Sequence, residues 1–264
     1  MSLEIAILGC GSSAGVPRVG QGWGACDPNN PKNRRRRCAL LVDKPGPQGP
    51  TRFLVDAGPD IREQLIAAQV ERLDALLLTH AHADHIHGLD DVRPLTMQMR
   101  SLIDCYLDAP TWETIGVRFD YLFKTPPGSA YPPLLVPHFL TPGEAFAPEG
   151  PAGALEVLPF RLNHGDIDAL GFRFENFAYT PDVKVIPDES AAFLENLDLW
   201  VIDTLRYRVH PTHFSLMEAL EMIDRFRPKR AVLTNLHTDM DYDTLRGQLP
   251  EGVEPAFDGM RLTV

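Results

Sequence analysis

Apolar residues recur along this chain at two different periods. Short apolar runs predict strands over residues 4–8, 38–42, 52–55 and 75–78. The second and third of these flank a Pro/Gly-rich stretch and read as a strand pair around a turn. Residues 9–24 are too rich in glycine and too irregular for either helix or sheet. Pro59-Asp60 opens a helix to about residue 68, with Ile61, Leu65 and Ile66 on its apolar face. From 90 to 141 the periodicity weakens, and frequent prolines and aromatics predict short helices and loops over one face. Strands resume at 155–158, 171–174, 199–202 and 231–233. Leu216, Leu220, Ile223 and Phe226 have helical spacing, and Ser215 with Glu218 forms a capping box at the start of that helix. A helix from about 243 and a final strand pair near Val253 and Leu262 complete the pattern. No repeat of 20–50 residues is present. Strands and helices alternate in two halves without a linker, which predicts one α/β domain over 1–264, built as a layered sandwich.

Composition narrows the class. An apolar fraction of 44% fits a globular core, and no apolar run is long enough to span a membrane. The first residues, Met1 to Ile5, lack a basic leader and enter a strand pattern directly, so a cytoplasmic protein without a membrane partner is expected. Cys10, Cys26, Cys38 and Cys105 are far apart, which suits reduced thiols. A net charge of −11 disfavours a stable nucleic-acid partner, because phosphate contacts carry most of that affinity. The one basic run, Arg34 to Arg37, reads either as a solvated loop or as a local anion site.

The strongest chemical signal is Thr79-His80-Ala81-His82-Ala83-Asp84-His85. Imidazoles and a carboxylate are ligands for zinc, manganese or iron. Four such groups just after an apolar strand cannot be buried without partners.

This spacing resembles the metallo-β-lactamase superfamily, whose hallmark is His-x-His-x-Asp-His. Asp56 in Asp56-Ala57-Gly58, His164 in Asn163-His164-Gly165-Asp166, and Asp182 after Tyr179-Thr180-Pro181 follow in the superfamily's order. The resemblance implies a four-layer αββα fold and two divalent transition metals per chain, zinc or manganese. His80, His82 and His164 would hold one ion, Asp84 and His85 the other, with Asp182 between them and Asp56 bracing the loop. Gly15-Val16-Pro17, the arginine run, Pro211-Thr212-His213 and Phe257-Asp258-Gly259-Met260 resemble the cyclic-phosphodiesterase branch. That branch includes the enzyme that opens phosphoribosyl 1,2-cyclic phosphate in the carbon–phosphorus lyase pathway. It implies His213 as the acid near the leaving oxygen, and a position before a capped helix suits a group beside bound phosphate.

Two departures stand out. The branch carries three close cysteines and a late histidine that bind a structural zinc. Here only Cys26 remains and Thr238 stands at the histidine's place, so no such zinc is expected. The branch's last active-site histidine follows Leu-Thr. Here Leu233-Thr234 is followed by Asn235, with His237 two residues on. In an extended segment positions two apart share a side, so His237 is expected to complete the second metal site, with Asn235 as the alternative.

The function expected is a metal-dependent phosphodiesterase for a small cyclic, nucleotide or sugar phosphodiester. A metal-bridging hydroxide would attack phosphorus, with Asp84 and His213 in catalytic roles. Arg206, Arg208 or the arginine run would bind a further phosphate. The competing readings are a nuclease or thioesterase on the same fold, or a non-hydrolytic cofactor-biosynthesis or carrier protein. The sequence leaves monomer and homodimer open.

Overall fold

The computed structural model describes residues 2–264; Met1, part of the N-terminal reading, lies outside them. Two sheets form the centre of the molecule. The first has seven strands: β1 (Glu4–Gly9), β2 (Ala39–Lys44), β3 (Thr51–Val55), β4 (Ala75–Leu77), β5 (Ile103–Leu107), β6 (Leu135–Phe139) and, from the end of the chain, β13 (Met260–Thr263). The second has six: β7 (Leu158–His164), β8 (Ile167–Phe174), β9 (Phe177–Thr180), β10 (Leu199–Asp203), β11 (Arg230–Thr234) and β12 (Val253–Pro255). Their orders are β13-β1-β2-β3-β4-β5-β6 and β12-β11-β10-β9-β8-β7.

Strand alternation sorts the side chains into three buried interfaces. Leu40 and Val42 of β2 face Phe172, Tyr179 and Val201 between the sheets. Leu41, one residue out of phase, joins Leu54, Leu76 and the helix residues Ile61 and Leu65 on the outer side of the first sheet. On the second sheet Val201 points inward, while Trp200 and Ile202 pack outward on Leu216 and Ala219. Three apolar interfaces separate four layers: helices, sheet, sheet, helices. The period of two in a strand is what lets each sheet serve two cores at once. The helix Leu216–Phe226 starts at the Ser215–Glu218 capping box and ends on Arg227 in left-handed backbone (φ 50°). No helix among the described residues is long and apolar enough to cross a membrane.

Three expectations need correction. The stretch 90–141 contains two strands, β5 and β6, beside the helices Arg93–Met99 and Ala109–Arg118. The strand predicted at 155–158 begins only at Leu158. The last two strands are not a pair: β12 joins β11 in one sheet and β13 joins β1 in the other.

The strands β3 to β6 run parallel, as do β9 to β12. Loops leaving the carboxyl ends of such strands gather at one rim, where ligands of open α/β sheets bind. Asp56 follows β3, Thr79 to His85 follow β4, Asp182 follows β9, Asp203 ends β10 and Asn235 follows β11.

Candidate metal centre

The strand β4 ends in a loop that turns into the short helix Ala83–Ile86. Its backbone is locked to the loop after β3, where Ala57 N–H donates to His85 O (2.8 Å) and Gly88 N–H to Ala57 O (2.8 Å). A Cβ on Gly58 would sit 1.9 Å from Asp84 O, so only glycine permits this approach.

Three ligand sets close around the loop. The donor atoms of His80, His82 and His164 lie within 4.8 Å of one another, as do those of His80, His85 and Asp182, and those of His164, Asp182 and His213. The far nitrogens are tied back. His85 Nδ1–H donates to Asp56 Oδ2 (2.6 Å) and His164 Nδ1–H to Thr212 O (2.7 Å). Thr79 Oγ1 donates to Asp56 (2.9 Å) and receives His80 Nδ1–H (3.0 Å). Each of these rings therefore presents Nε2 to the centre, the arrangement that orients metal-binding imidazoles. Asp56 adopts left-handed backbone (φ 63°) with its side chain fully buried, an unusual posture held by these bonds. Replacing Asp56 with alanine should release His85 and Thr79 together. Metal affinity, measured by titration against a chelating dye, should fall about 10- to 100-fold. Unchanged affinity would mean that the loop holds its shape without the brace.

The donor set fits a cation. Burial drives the His80 imidazole well below its usual pKa, with the charge of His85 adding to it, so His80 is neutral, as a metal-binding imidazole must be. Burial lowers His82 in the same way. Burial also pulls His85 down, yet the carboxylates of Asp182, Asp56 and Asp84 carry it well above the usual range. Burial pushes the Asp182 carboxyl up, but His85 outweighs it and holds Asp182 well below the usual range. Three acids thus converge where positive charge is required. His80 Nε2 is buried without a hydrogen-bond partner among the described residues, and Asp182 Oδ2, also buried, has His85 Nε2 beside it at 2.9 Å. Buried polar atoms are almost always paired, and a bound cation would give the His80 nitrogen its partner. His82 Nδ1 and His164 Nε2 face each other at 3.3 Å, which is the separation of two donors awaiting a common acceptor.

Beside this cluster lies a second constellation. His213 Nδ1–H donates to Asp203 Oδ2 (2.9 Å), and Asp182 Oδ1 is 3.4 Å away. Burial lowers the His213 pKa, but Asp203 outweighs it and holds the ring up at about 9, protonated at neutral pH. Asn235 Nδ2 donates to Asp203 Oδ1 (3.1 Å), Asp182 Oδ1 (3.2 Å) and Pro181 O (3.2 Å). Asp203 carries no signal in the sequence: a lone acid ending a strand looks structural until the fold places it against His213.

His80, His82, Asp84, His85, His164, Asp182 and His213 lie together in one cluster. Asp84 lies 3.4 Å from His85 Nε2. His237 does not join the cluster. Its Nε2 faces Arg18 (2.6 Å) and its Nδ1 faces Asp239 (3.1 Å) at the rim. The reason is local: Asn235 has φ 62°, so the segment is not extended, and the expected side-sharing of 235 and 237 fails. Asn235 takes the inner place, with its amide nitrogen toward the carboxylates. Arg206 lines the site cavity, of 280 Å³, whereas Arg208 is exposed outside it. Three of the four arginines in the run are engaged elsewhere, and Arg34 is exposed. Arg36 pairs with Asp258 (3.0 Å), Arg37 pairs with Asp60 (2.7 Å), and the buried Arg35 donates to Met240 O (2.7 Å) and approaches Cys26 Sγ (3.9 Å). A larger groove, of 480 Å³, runs beside Met97 and Tyr131 and holds none of these donors.

Residues 51–235 match the family described as the beta-lactamase superfamily domain. A solved diphosphatase from the PhnP family is 31% identical, with a TM-score of 0.89, the match covering 100% of this chain and 98% of that one. An octanoyltransferase of Porphyromonas gingivalis is 32% identical over 99% of this chain and 52% of its own length. A ribonuclease Z of Bradyrhizobium sp. is 37% identical over 54% of this chain and 46% of its own length. The chain spans about half the length of these two curated relatives. A solved zinc-bound PqqB of Methylobacterium extorquens, 18% identical, shares the fold with a TM-score of 0.75 over 98% of this chain and 99% of that one. Motif order, four-layer fold and a match along the full chain agree: this protein belongs to the metallo-β-lactamase superfamily and to its PhnP family.

Proposed function

We propose that the protein is a metal-dependent phosphodiesterase acting on a small phosphodiester or diphosphate. The observation that carries this reading is the Asp203–His213 pair, which places a protonated imidazole in the same cavity as the metal-ligand cluster. Hydrolysis of an unactivated phosphate ester needs a proton on the departing alkoxide, and a positioned acid supplies it. Two relatives, a diphosphatase and a ribonuclease Z, both act by breaking phosphorus–oxygen bonds. The octanoyltransferase match favours acyl transfer less, because all four cysteines are buried and none lines the cavity.

In this reading His80, His82 and His164 hold one divalent ion, zinc or manganese. Asp84 and His85 would hold a second, and Asp182 would serve both. Such ions supply Lewis-acid chemistry: they draw charge from phosphoryl oxygens and acidify water. The chain's own residues do the rest. Asp203 accepts from His213 Nδ1–H and leaves Nε2–H as the proton donor toward the cavity. Asn235 ties Asp203 to Asp182, which holds the acid at a fixed distance from the ligand cluster. Arg206 lends positive charge to the cavity wall.

The pH dependence follows from the same pair. A general acid must be protonated, so kcat falls as pH rises through the His213 pKa. Asp203→Asn removes the charge that raises that pKa, so the alkaline limb of kcat should move to lower pH than in wild type. The pH–rate profiles of both proteins on one alkyl diester measure the shift. Superimposable limbs would separate His213 from the proton transfer. The broader test is a screen of phosphodiesters, thioesters and RNA with and without added metal. Hydrolysis of small phosphodiesters is expected; hydrolysis of thioesters alone would overturn the reading.

A further inference from the structure

The loop that carries His213 brings a second imidazole to the cavity. His210 stands three residues earlier, in His210-Pro211-Thr212-His213, and both histidines line the cavity beside Arg206. The reaction above uses His213 and gives His210 no part. The two rings lie side by side with centroids 5.1 Å apart, and the His213 ring in turn lies 4.6 Å from that of His164. His210 Nδ1 accepts the backbone N–H of Thr212 (3.3 Å), and the Thr212 hydroxyl lies 3.2 Å from the same nitrogen. A backbone amide can only donate, so this nitrogen holds a lone pair and the ring is neutral, with its single proton on Nε2. Both hydrogen bonds of the ring among the described residues fall on Nδ1, which leaves Nε2–H as its one unengaged donor.

That donor is held from three sides. Thr212 O accepts His164 Nδ1–H (2.7 Å), so the residue that fixes the His210 tautomer also holds a histidine of the ligand cluster. A Cβ on Gly165 would come within 2.4 Å of Thr212 Cγ2, so the hairpin tip after β7 packs directly on this turn. The Arg206 guanidinium donates to Arg208 O (3.2 Å) and Val209 O (3.0 Å), which closes the crest of the loop just before His210. A donor fixed before the ligand arrives loses little on binding.

We propose that His210 Nε2–H donates to a hydroxyl of the substrate's leaving alcohol, on the carbon next to the one that bears the departing oxygen. The proposal rests on the phosphodiesterase reading and narrows its substrate to an ester of a vicinal diol, such as a sugar. His213 serves the departing oxygen, so the ring beside it on the same loop meets the body of the leaving alcohol. The nearest further oxygen that such an alcohol can carry is the vicinal one. Charged donors suit the anionic oxygens of phosphate, whereas a neutral N–H suits a neutral hydroxyl. A neutral imidazole whose other nitrogen is occupied by an amide N–H has no proton to spare, so its role is to bind and not to act as acid or base.

The test uses metal-loaded protein and compares adenosine 3′,5′-cyclic phosphate with its 2′-deoxy counterpart, scored by release of the 3′-oxygen. In the first ester a free 2′-hydroxyl stands beside that oxygen. Wild type should prefer it about three- to tenfold in kcat/KM, the worth of one neutral hydrogen bond. His210→Asn keeps an acceptor for Thr212 N–H at the place of Nδ1 and removes the far donor, so the ratio should fall to about one with bound metal unchanged. His210→Gln, whose amide reaches the place of Nε2, should keep part of the preference. An unchanged ratio in His210→Asn would overturn the contact, and so would equal losses on both esters, which would make His210 a brace of the loop. Calorimetry with adenosine 3′-monophosphate and 2′-deoxyadenosine 3′-monophosphate reads the contact without turnover. Wild type should bind the first about three- to tenfold more tightly, and His210→Asn should bind the two alike. If wild type cleaves neither ester, the phosphodiesterase reading falls. The calorimetric ratio then decides the contact alone, and equal affinities in wild type would overturn it.

Discussion

His213→Ala should lower kcat on an alkyl phosphodiester by about 10²-fold or more while leaving bound metal intact, since the loss of a general acid is on that scale. The imidazole is held by Asp203, with its Nδ1 occupied and its pKa raised to about 9. A p-nitrophenoxide leaving group departs without a proton, so the loss on a p-nitrophenyl diester should be much smaller. The contrast between the two substrates is the diagnostic quantity. Equal losses would mean that His213 positions the phosphate. No loss on either would leave it a structural residue ahead of the helix Leu216–Phe226. Because His213 Nδ1 is also 3.4 Å from Asp182 Oδ1, metal content must be measured on the same preparation.

What the chain reveals before folding follows from how local each signal is. The cluster from His80 to His85 was legible because its ligands sit within six residues and a strand of buried leucines delivers them. The helix Leu216–Phe226 was legible to its last residue, since its cap and its apolar spacing agree. The strand β6 was hidden by Pro137, which is tolerated because β6 is the edge of its sheet. The strand β9 was hidden for the opposite reason: all four of its residues are buried, so it shows no alternation. At the site, Asp203 was invisible because it gains meaning only from a partner, His213 ten residues away. Asn235 and His237 were exchanged by a sound rule applied to a segment that does not obey it. A residue with φ 62° cannot be foreseen from Leu-Thr-Asn-Leu-His alone, although asparagine is among the residues that tolerate it.

Asp182→Asn should cause the larger collapse. The carboxylate is buried and lies 2.9 Å from His85 Nε2 and 3.9 Å from His164 Nε2. It is the group common to two of the ligand sets built on His80 and His164. An amide of the same shape carries no charge and offers one weak oxygen, so metal occupancy and activity should fall together. An ion contributes several kcal/mol to the stabilisation of charge at phosphorus, so a loss of about 10³-fold in kcat/KM is expected. The packing around residue 182 should survive, and an unchanged near-ultraviolet circular dichroism spectrum would show it. Full metal content with full activity in this variant would remove Asp182 from the centre.

The most direct test removes the metal from wild type and returns it. Protein stripped with a chelator should not hydrolyse an alkyl phosphodiester. Titration with manganese or zinc should restore hydrolysis in step with bound metal, measured by elemental analysis, up to two ions per chain. Hydrolysis that persists in metal-free protein would contradict the account, and so would a fully loaded centre that cleaves no phosphodiester.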